Sequence, residues 1–174
     1  MKREQAINFL KPALIHQKGK WADIGAGTGT FTLALDYLLA KESSIYSIDQ
    51  NTTALHQLEL MNCTLEVVNQ DFDDPFDLPL MDGIIMANTL HYSDQPIATL
   101  ENVLKILKPE GQFILIEYEL TQARKPWIPY PITFQQFCEM APQVALSTPL
   151  EIGRLPSTYG NNYMYLASSE KKES

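Results

Sequence analysis

Gly25, Gly27 and Gly29 stand at alternate positions directly behind the apolar run Lys20-Trp21-Ala22-Asp23-Ile24, and a helical pattern begins just after them. Lacking Cβ atoms, they let the chain turn sharply and let a ligand approach the main chain closely. The helix behind them adds free N–H groups and a positive dipole end, so the stretch suits a nucleotide-like ligand. Asp49 closes a second apolar stretch, Ile45-Tyr46-Ser47-Ile48-Asp49. A short carboxylate beside such a turn can accept from both hydroxyls of a ribose; its alternative role is to cap the helix that follows. His91, behind a third apolar run, is the histidine best placed for proton transfer, because imidazole titrates near neutral pH. The alternative for His91 is a cleft-wall residue that only hydrogen-bonds a loop.

These residues need a frame, and hydrophobic spacing supplies one. A leading helix is predicted over 4–17, interrupted at Pro12, followed by a strand at 20–24 and a helix carrying Phe31, Leu35, Leu38 and Leu39. A second strand ends at Asp49, and Ala54, Leu55, Leu58 and Met61 predict another helix. Residues 64–68 form a third strand, 69–79 an acidic loop with prolines, and Asp82 to Ala87 a buried central strand. A helix with Pro96 in its first turn follows, and then a fifth strand over 112–118. Residues 124–131 read as an aromatic, proline-rich connection, and Phe134 to Ala141 as a helix. Strands at 148–155 and 162–167, joined by a turn around Tyr159, Gly160 and Asn161, read as a closing hairpin, and 169–174 as a disordered tail. The fold class that follows is α/β. It is a doubly wound, mostly parallel seven-stranded sheet with an antiparallel edge hairpin and helices on both faces, one domain over 1–168. Ligands of such sheets bind at the carboxyl ends of the strands, where Gly25 to Gly29, Asp49, Asp71, Asn88 to His91 and Glu117 converge.

Composition removes several classes of function. The 174 residues carry a formal net charge of −8 with no basic stripe, which argues against a nucleic-acid partner. Cys63 and Cys138 lie far apart without metal-type spacing and read as free thiols in a reducing compartment, and no metal site is expected. With neither a signal-type leader nor a membrane-length apolar run, the expectation is a cytoplasmic protein without a membrane partner.

The pattern G-x-G-x-G, with Asp23 two places before Gly25 and Thr30 at the sixth position, resembles the opening motif of class I S-adenosylmethionine-dependent methyltransferases. Leu107-Lys108-Pro109-Glu110-Gly111 before a hydrophobic strand is a second feature typical of that family, with Glu110 where a glycine is often seen. The resemblance implies a Rossmann-like methyltransferase using S-adenosyl-L-methionine, with S-adenosyl-L-homocysteine as product and a small-molecule acceptor. It carries cofactor contacts onto Asp23, Gly25, Ala26, Gly27, Gly29, Asp49, Gln50, Asp71, Phe72 and Asn88, with Asp71 facing the adenine amino group and Phe72 its ring. His91 is the candidate general base, and His91, Glu117, Tyr118, Trp127 and Tyr130 are candidates for the acceptor pocket. Trp127 and Tyr130 could equally pack beneath the last helix. With no inserted domain to cover the site, either the 120–134 segment closes it or a homodimer does. Two competing readings are a subunit that binds the cofactor without transfer, and a nicotinamide-dependent oxidoreductase. Thr30 in place of glycine argues against the latter.

Overall fold

The computed structural model describes residues 1–157 and 162–173. The chain runs α1 (Arg3–Leu10), β1 (Lys20–Ile24), α2 (Thr30–Leu38), β2 (Ser44–Asp49), β3 (Thr64–Asn69), β4 (Met81–Ala87), α3 (Pro96–Leu104), β5 (Leu107–Tyr118), α4 (Phe134–Met140), β6 (Leu150–Pro156) and β7 (Tyr163–Glu170). The strands form one seven-stranded sheet in the order β3-β2-β1-β4-β5-β7-β6. The first five are parallel to their neighbours; β7 runs antiparallel to β5, and β6 pairs antiparallel with β7. This is the doubly wound, mostly parallel sheet with an antiparallel edge pair that the sequence predicts.

Alternation along the central strands sorts side chains to the two faces. Trp21, Ile45, Ile85, Ile114 and Ile116 pack beneath α1 and α2. Ile84, Met86, Phe113, Leu115 and Tyr165 pack beneath α3 and α4. Thr133 caps α4: its Oγ1 accepts from the Gln136 N–H at 3.2 Å while Gln136 Oε1 accepts from the Thr133 N–H at 2.8 Å. No helix among the described residues is long and apolar enough to cross a membrane.

Three local expectations are corrected. The leading helix ends at Leu10, and Pro12 sits in a single 3-10 turn, Lys11–Ala13, rather than in a helix reaching residue 17. The helix expected over Ala54 to Met61 is only the 3-10 turn Leu55–Gln57. Its cause is a buried carboxylate: Asp36 on α2 accepts from the N–H groups of Met61, Asn62 and Cys63, each at 2.9 Å, and holds that segment out of helical geometry. The tail is ordered through Lys172. Ser168 and Ser169 are buried strand residues, and Lys171 Nζ donates to the carbonyls of Leu104 and Leu107 at 2.6 and 2.8 Å. The hydroxyls of the two serines meet Gln112 and Ser147, so their polarity is satisfied inside the fold. The turn expected around 159–161 and residue 174 lie outside the described residues. Glu110 has φ of 60°, the left-handed conformation that a glycine adopts without strain.

Candidate active site

The turn between β1 and α2 is sewn to β2 through its own backbone. The N–H groups of Gly25 and Ala26 donate to the Ile48 carbonyl at 2.8 and 3.0 Å, and the Gly27 N–H donates to Asp49 Oδ2 at 2.8 Å. Gly25 has φ of +71°, and a Cβ there would come within 2.2 Å of Thr89 Cγ2. Gly27 has φ of +55°, and a Cβ there would meet no protein atom within 4 Å. Gly29 takes φ of 81° at the cap of α2. Above the turn lies a cavity of about 640 Å³, within the ~300–1,000 Å³ range of small-ligand clefts.

Of the residues expected to hold a cofactor, Gly25, Ala26, Gly27, Asp49, Gln50, Asp71, Phe72 and Asn88 line this cavity. Asp49 Oδ1 also accepts from the Asn51 N–H at 2.9 Å, so the carboxylate is held from two sides at the tip of β2. Gln50 Nε2 donates to Asp71, and the other Asp71 oxygen accepts from the Asp73 N–H at 3.0 Å. Asn88, with φ of 54°, has a buried Oδ1 without a hydrogen-bond partner at the cavity wall. Thr30, Phe31, Gln70, Thr89 and Tyr92 line the cavity too and were not singled out from the sequence. Thr89 lies inside the stretch Asn88 to His91 that the sequence places at the strand ends, Tyr92 directly follows it, and that position was the available signal.

Asp23 and Gly29 are absent from the cavity wall. Asp23 is 2% exposed, beneath the turn, where Oδ2 accepts from Thr32 Oγ1 at 2.7 Å. Burial pushes its carboxyl up to about 6 from 3.8; the Thr32 hydrogen bonds oppose this, and the charge of Asp49 adds to it. A raised folded-state value means that the native protein holds the proton more tightly than the unfolded chain. The associated stability is present below pH ~4 and lost as pH rises through about 6, about 3 kcal/mol in all. Asp23→Asn is therefore expected to gain on the wild type as pH rises from 4 to 7. Thermal melts across that range check this, and a pH-independent difference contradicts it.

None of the residues expected to form the acceptor pocket lines the cavity. Trp127 and Tyr130 are exposed, so they are not core beneath α4, and neither lines the cavity over the glycine turn. Tyr118 is half-buried, while His91 and Glu117 form a buried pair beside the cavity wall. His91 Nδ1 lies 2.7 Å from Glu117 Oε2, and Glu117 Oε1 accepts from the N–H groups of Thr89 and His91, both at 3.1 Å. A carboxylate against Nδ1 holds the proton there and leaves the Nε2 lone pair as the basic site. Tyr92 and Tyr118 pack around the imidazole at ring distances of 4.5 and 5.7 Å, and the Tyr130 N–H donates to the His91 carbonyl at 3.0 Å.

A parallel-centred sheet with a glycine turn after its first strand and a cavity at the strand ends defines a doubly wound nucleotide-binding fold. The chain belongs to the methyltransferase-domain family, whose model matches residues 22–113. Among solved structures, a 1,6-didemethyltoxoflavin-N1-methyltransferase of Burkholderia thailandensis, with 1,6-didemethyltoxoflavin and S-adenosylhomocysteine bound, superposes with a TM-score of 0.79 at 18% identity, covering 98% of this chain and 78% of that one. The YcgJ protein of Bacillus subtilis gives 0.75 at 14% identity over 98% and 100% of the two chains. At these identities the likeness is one of fold. Among curated proteins, the hybrid PKS-NRPs synthetase opdA of Penicillium oxalicum is 27% identical over 112 residues, 59% of this chain. The matched stretch spans 3% of that synthetase.

Proposed function

We propose that the protein is an S-adenosylmethionine-dependent methyltransferase acting on a small molecule. The observation that carries this reading is the cavity over the glycine turn, with Asp49 held at its edge. The residues fit the cofactor. A carboxylate has about four lone-pair sites, so Asp49 keeps one on each oxygen for the ribose hydroxyls after accepting from Gly27 and Asn51. Asp71 accepts from the adenine amino group and Phe72 packs on the ring. Gly27 leaves the space a side chain would fill, and the unpartnered Asn88 Oδ1 is an acceptor available to the ligand.

Bound S-adenosylmethionine would supply a methyl carbon that bonds to the acceptor's nucleophilic atom as its bond to the sulfonium sulfur breaks, with S-adenosylhomocysteine as the leaving group. The protein holds donor and acceptor collinear and excludes water. His91, buried and packed against the cavity-lining Tyr92, is the group we assign to take at Nε2 the proton that the acceptor loses once the Tyr92 ring gives way, and Glu117 holds the ring and stabilises the imidazolium that forms. The 1,6-didemethyltoxoflavin held by the Burkholderia relative supports a small acceptor.

Thermal unfolding tests the reading. A ligand at about 100 times its Kd adds roughly 2.7 kcal/mol, about 5–10 °C for a chain of this size. S-adenosylmethionine and S-adenosylhomocysteine are expected to give that shift and NADPH none. A shift with NADPH alone, or with none of the three, overturns the reading. Binding without transfer of labelled methyl to any acceptor turns it into that of a cofactor-binding subunit.

A further inference from the structure

One buried residue joins the glycine turn to the His91–Glu117 pair. Thr89 is 4% exposed and follows Asn88, whose N–H is fastened to the Ile116 carbonyl at 2.8 Å. On one side, the single Thr89 hydroxyl proton is shared between the carbonyls of Ala87 at 3.1 Å and Gly25 at 3.3 Å, and its side chain fills the space that a Cβ on Gly25 would need. On the other side, its N–H donates to Glu117 Oε1. That oxygen also accepts from the His91 N–H, while Glu117 Oε2 accepts from the Tyr118 N–H at 3.2 Å and pairs with the imidazole. Thr89 thus touches the turn with its side chain and the carboxylate with its main chain. Closely packed interiors transmit such displacements instead of absorbing them.

We propose that Thr89 is a positioning residue that couples occupancy of the glycine turn to the setting of Glu117 against His91, so that the base is readied when cofactor is in place. The inference rests on the methyltransferase reading. A ligand seated on Gly25 to Gly27 presses on the turn, the Gly25 carbonyl shifts against Thr89 Oγ1, and the Thr89 N–H carries the shift to Glu117. The base then works in the loaded protein and is less basic in the empty one, which limits acceptor deprotonation without a methyl donor. Other groups that face the pair are the Tyr92 and Tyr118 rings and Tyr165, which stands opposite Glu117 across the β5–β7 ladder and also feels Glu119.

The test is an NMR titration of the His91 imidazole, with and without saturating S-adenosylhomocysteine, in the wild type, Thr89→Val and Thr89→Ser. A coupling of 5–150-fold between two sites appears as a midpoint shift of roughly 0.7–2 pH units. The wild type and Thr89→Ser, which keeps the hydroxyl, are expected to show that shift on ligand addition. Thr89→Val keeps the branched shape and the N–H but loses the hydroxyl; because Thr89 also lines the cavity, its Kd for S-adenosylhomocysteine is measured first and the titration is run at a ligand concentration that saturates the variant, where its shift is expected to disappear. A wild-type midpoint that does not move, or that moves down, when ligand binds overturns the inference, whatever the stability of the variants. So does a shift that persists in full in Thr89→Val, which would mark a direct effect of the ligand's own charges. A wild type that fails to bind S-adenosylhomocysteine overturns the methyltransferase reading and this inference with it.

Discussion

Replacing His91 by asparagine is expected to lower methyl transfer to a proton-bearing acceptor by about 10²–10⁴-fold, the usual contribution of a positioned general base. Binding of S-adenosylhomocysteine is expected to stay within a few-fold of the wild type, because His91 lies outside the cavity wall. Asparagine is the better first variant. Alanine would strand the Glu117 carboxylate without its ring partner, and leaving a buried acceptor without its donor costs about 1–3 kcal/mol. The asparagine amide can still donate to Glu117. Glu117→Gln attacks the same function from behind: Nδ1–H loses the anion that holds it, and the imidazolium formed during proton transfer loses its counter-charge. Both variants are expected to recover with an acceptor that is already ionised at the assay pH. Rates of labelled-methyl transfer from pH 6 to 9 with the two kinds of acceptor check this. Undiminished transfer by His91→Asn to the proton-bearing acceptor would reduce the pair to a structural clip for the loop after β4.

Asp49→Ala is expected to weaken S-adenosylhomocysteine binding by about 10²–10⁴-fold, since hydrogen bonds to a charged group contribute about 1.5–3 kcal/mol each and two are at stake. The same carboxylate accepts from Gly27 and Asn51, so part of any loss could come from a slackened turn. A 2′-deoxy analogue of the ligand separates the two causes by a double-mutant cycle. The analogue, which keeps only the 3′-hydroxyl bond, is expected to bind the wild type more weakly than the parent compound and to lose about half as much binding free energy as the parent does in Asp49→Ala. Titration calorimetry reads all four affinities. Equal penalties for the analogue in both proteins would assign Asp49 to the turn alone.

Much of this frame was legible because its signals are local. The run from Lys20 through Gly29 into Phe31 announces a strand, a turn and a helix, and the unbroken apolar stretch Gly83 to Ala87 announces a central strand. Eight of the ten residues expected to contact a cofactor line one cavity, since the ends of parallel strands fall together once their order is known. What escaped depends on partners far away in sequence. Nothing near Leu55 shows that Asp36, on the preceding helix, will capture the next three backbone donors at residues 61–63. The serines of β7 look like a solvated tail until Gln112 and Ser147 are placed beside them. Asp23 fits a motif written in positions, yet its side chain turns beneath the sheet's loop towards Thr32. Trp127 and Tyr130 had the composition of a pocket, whereas the proline-rich connection that carries them lies at the surface.

The placing of β7 also shapes how the chain is made. All five parallel strands are encoded by residues 20–118, so they leave the ribosome together, but the outer edge of β5 gains its partner only when residues 163–170 follow. Until then a long, apolar strand displays unpaired main-chain donors and acceptors, the kind of edge that recruits other chains. Nascent or truncated chains that stop between β5 and β7 are therefore the forms most prone to aggregate, and they already carry every residue that lines the cavity.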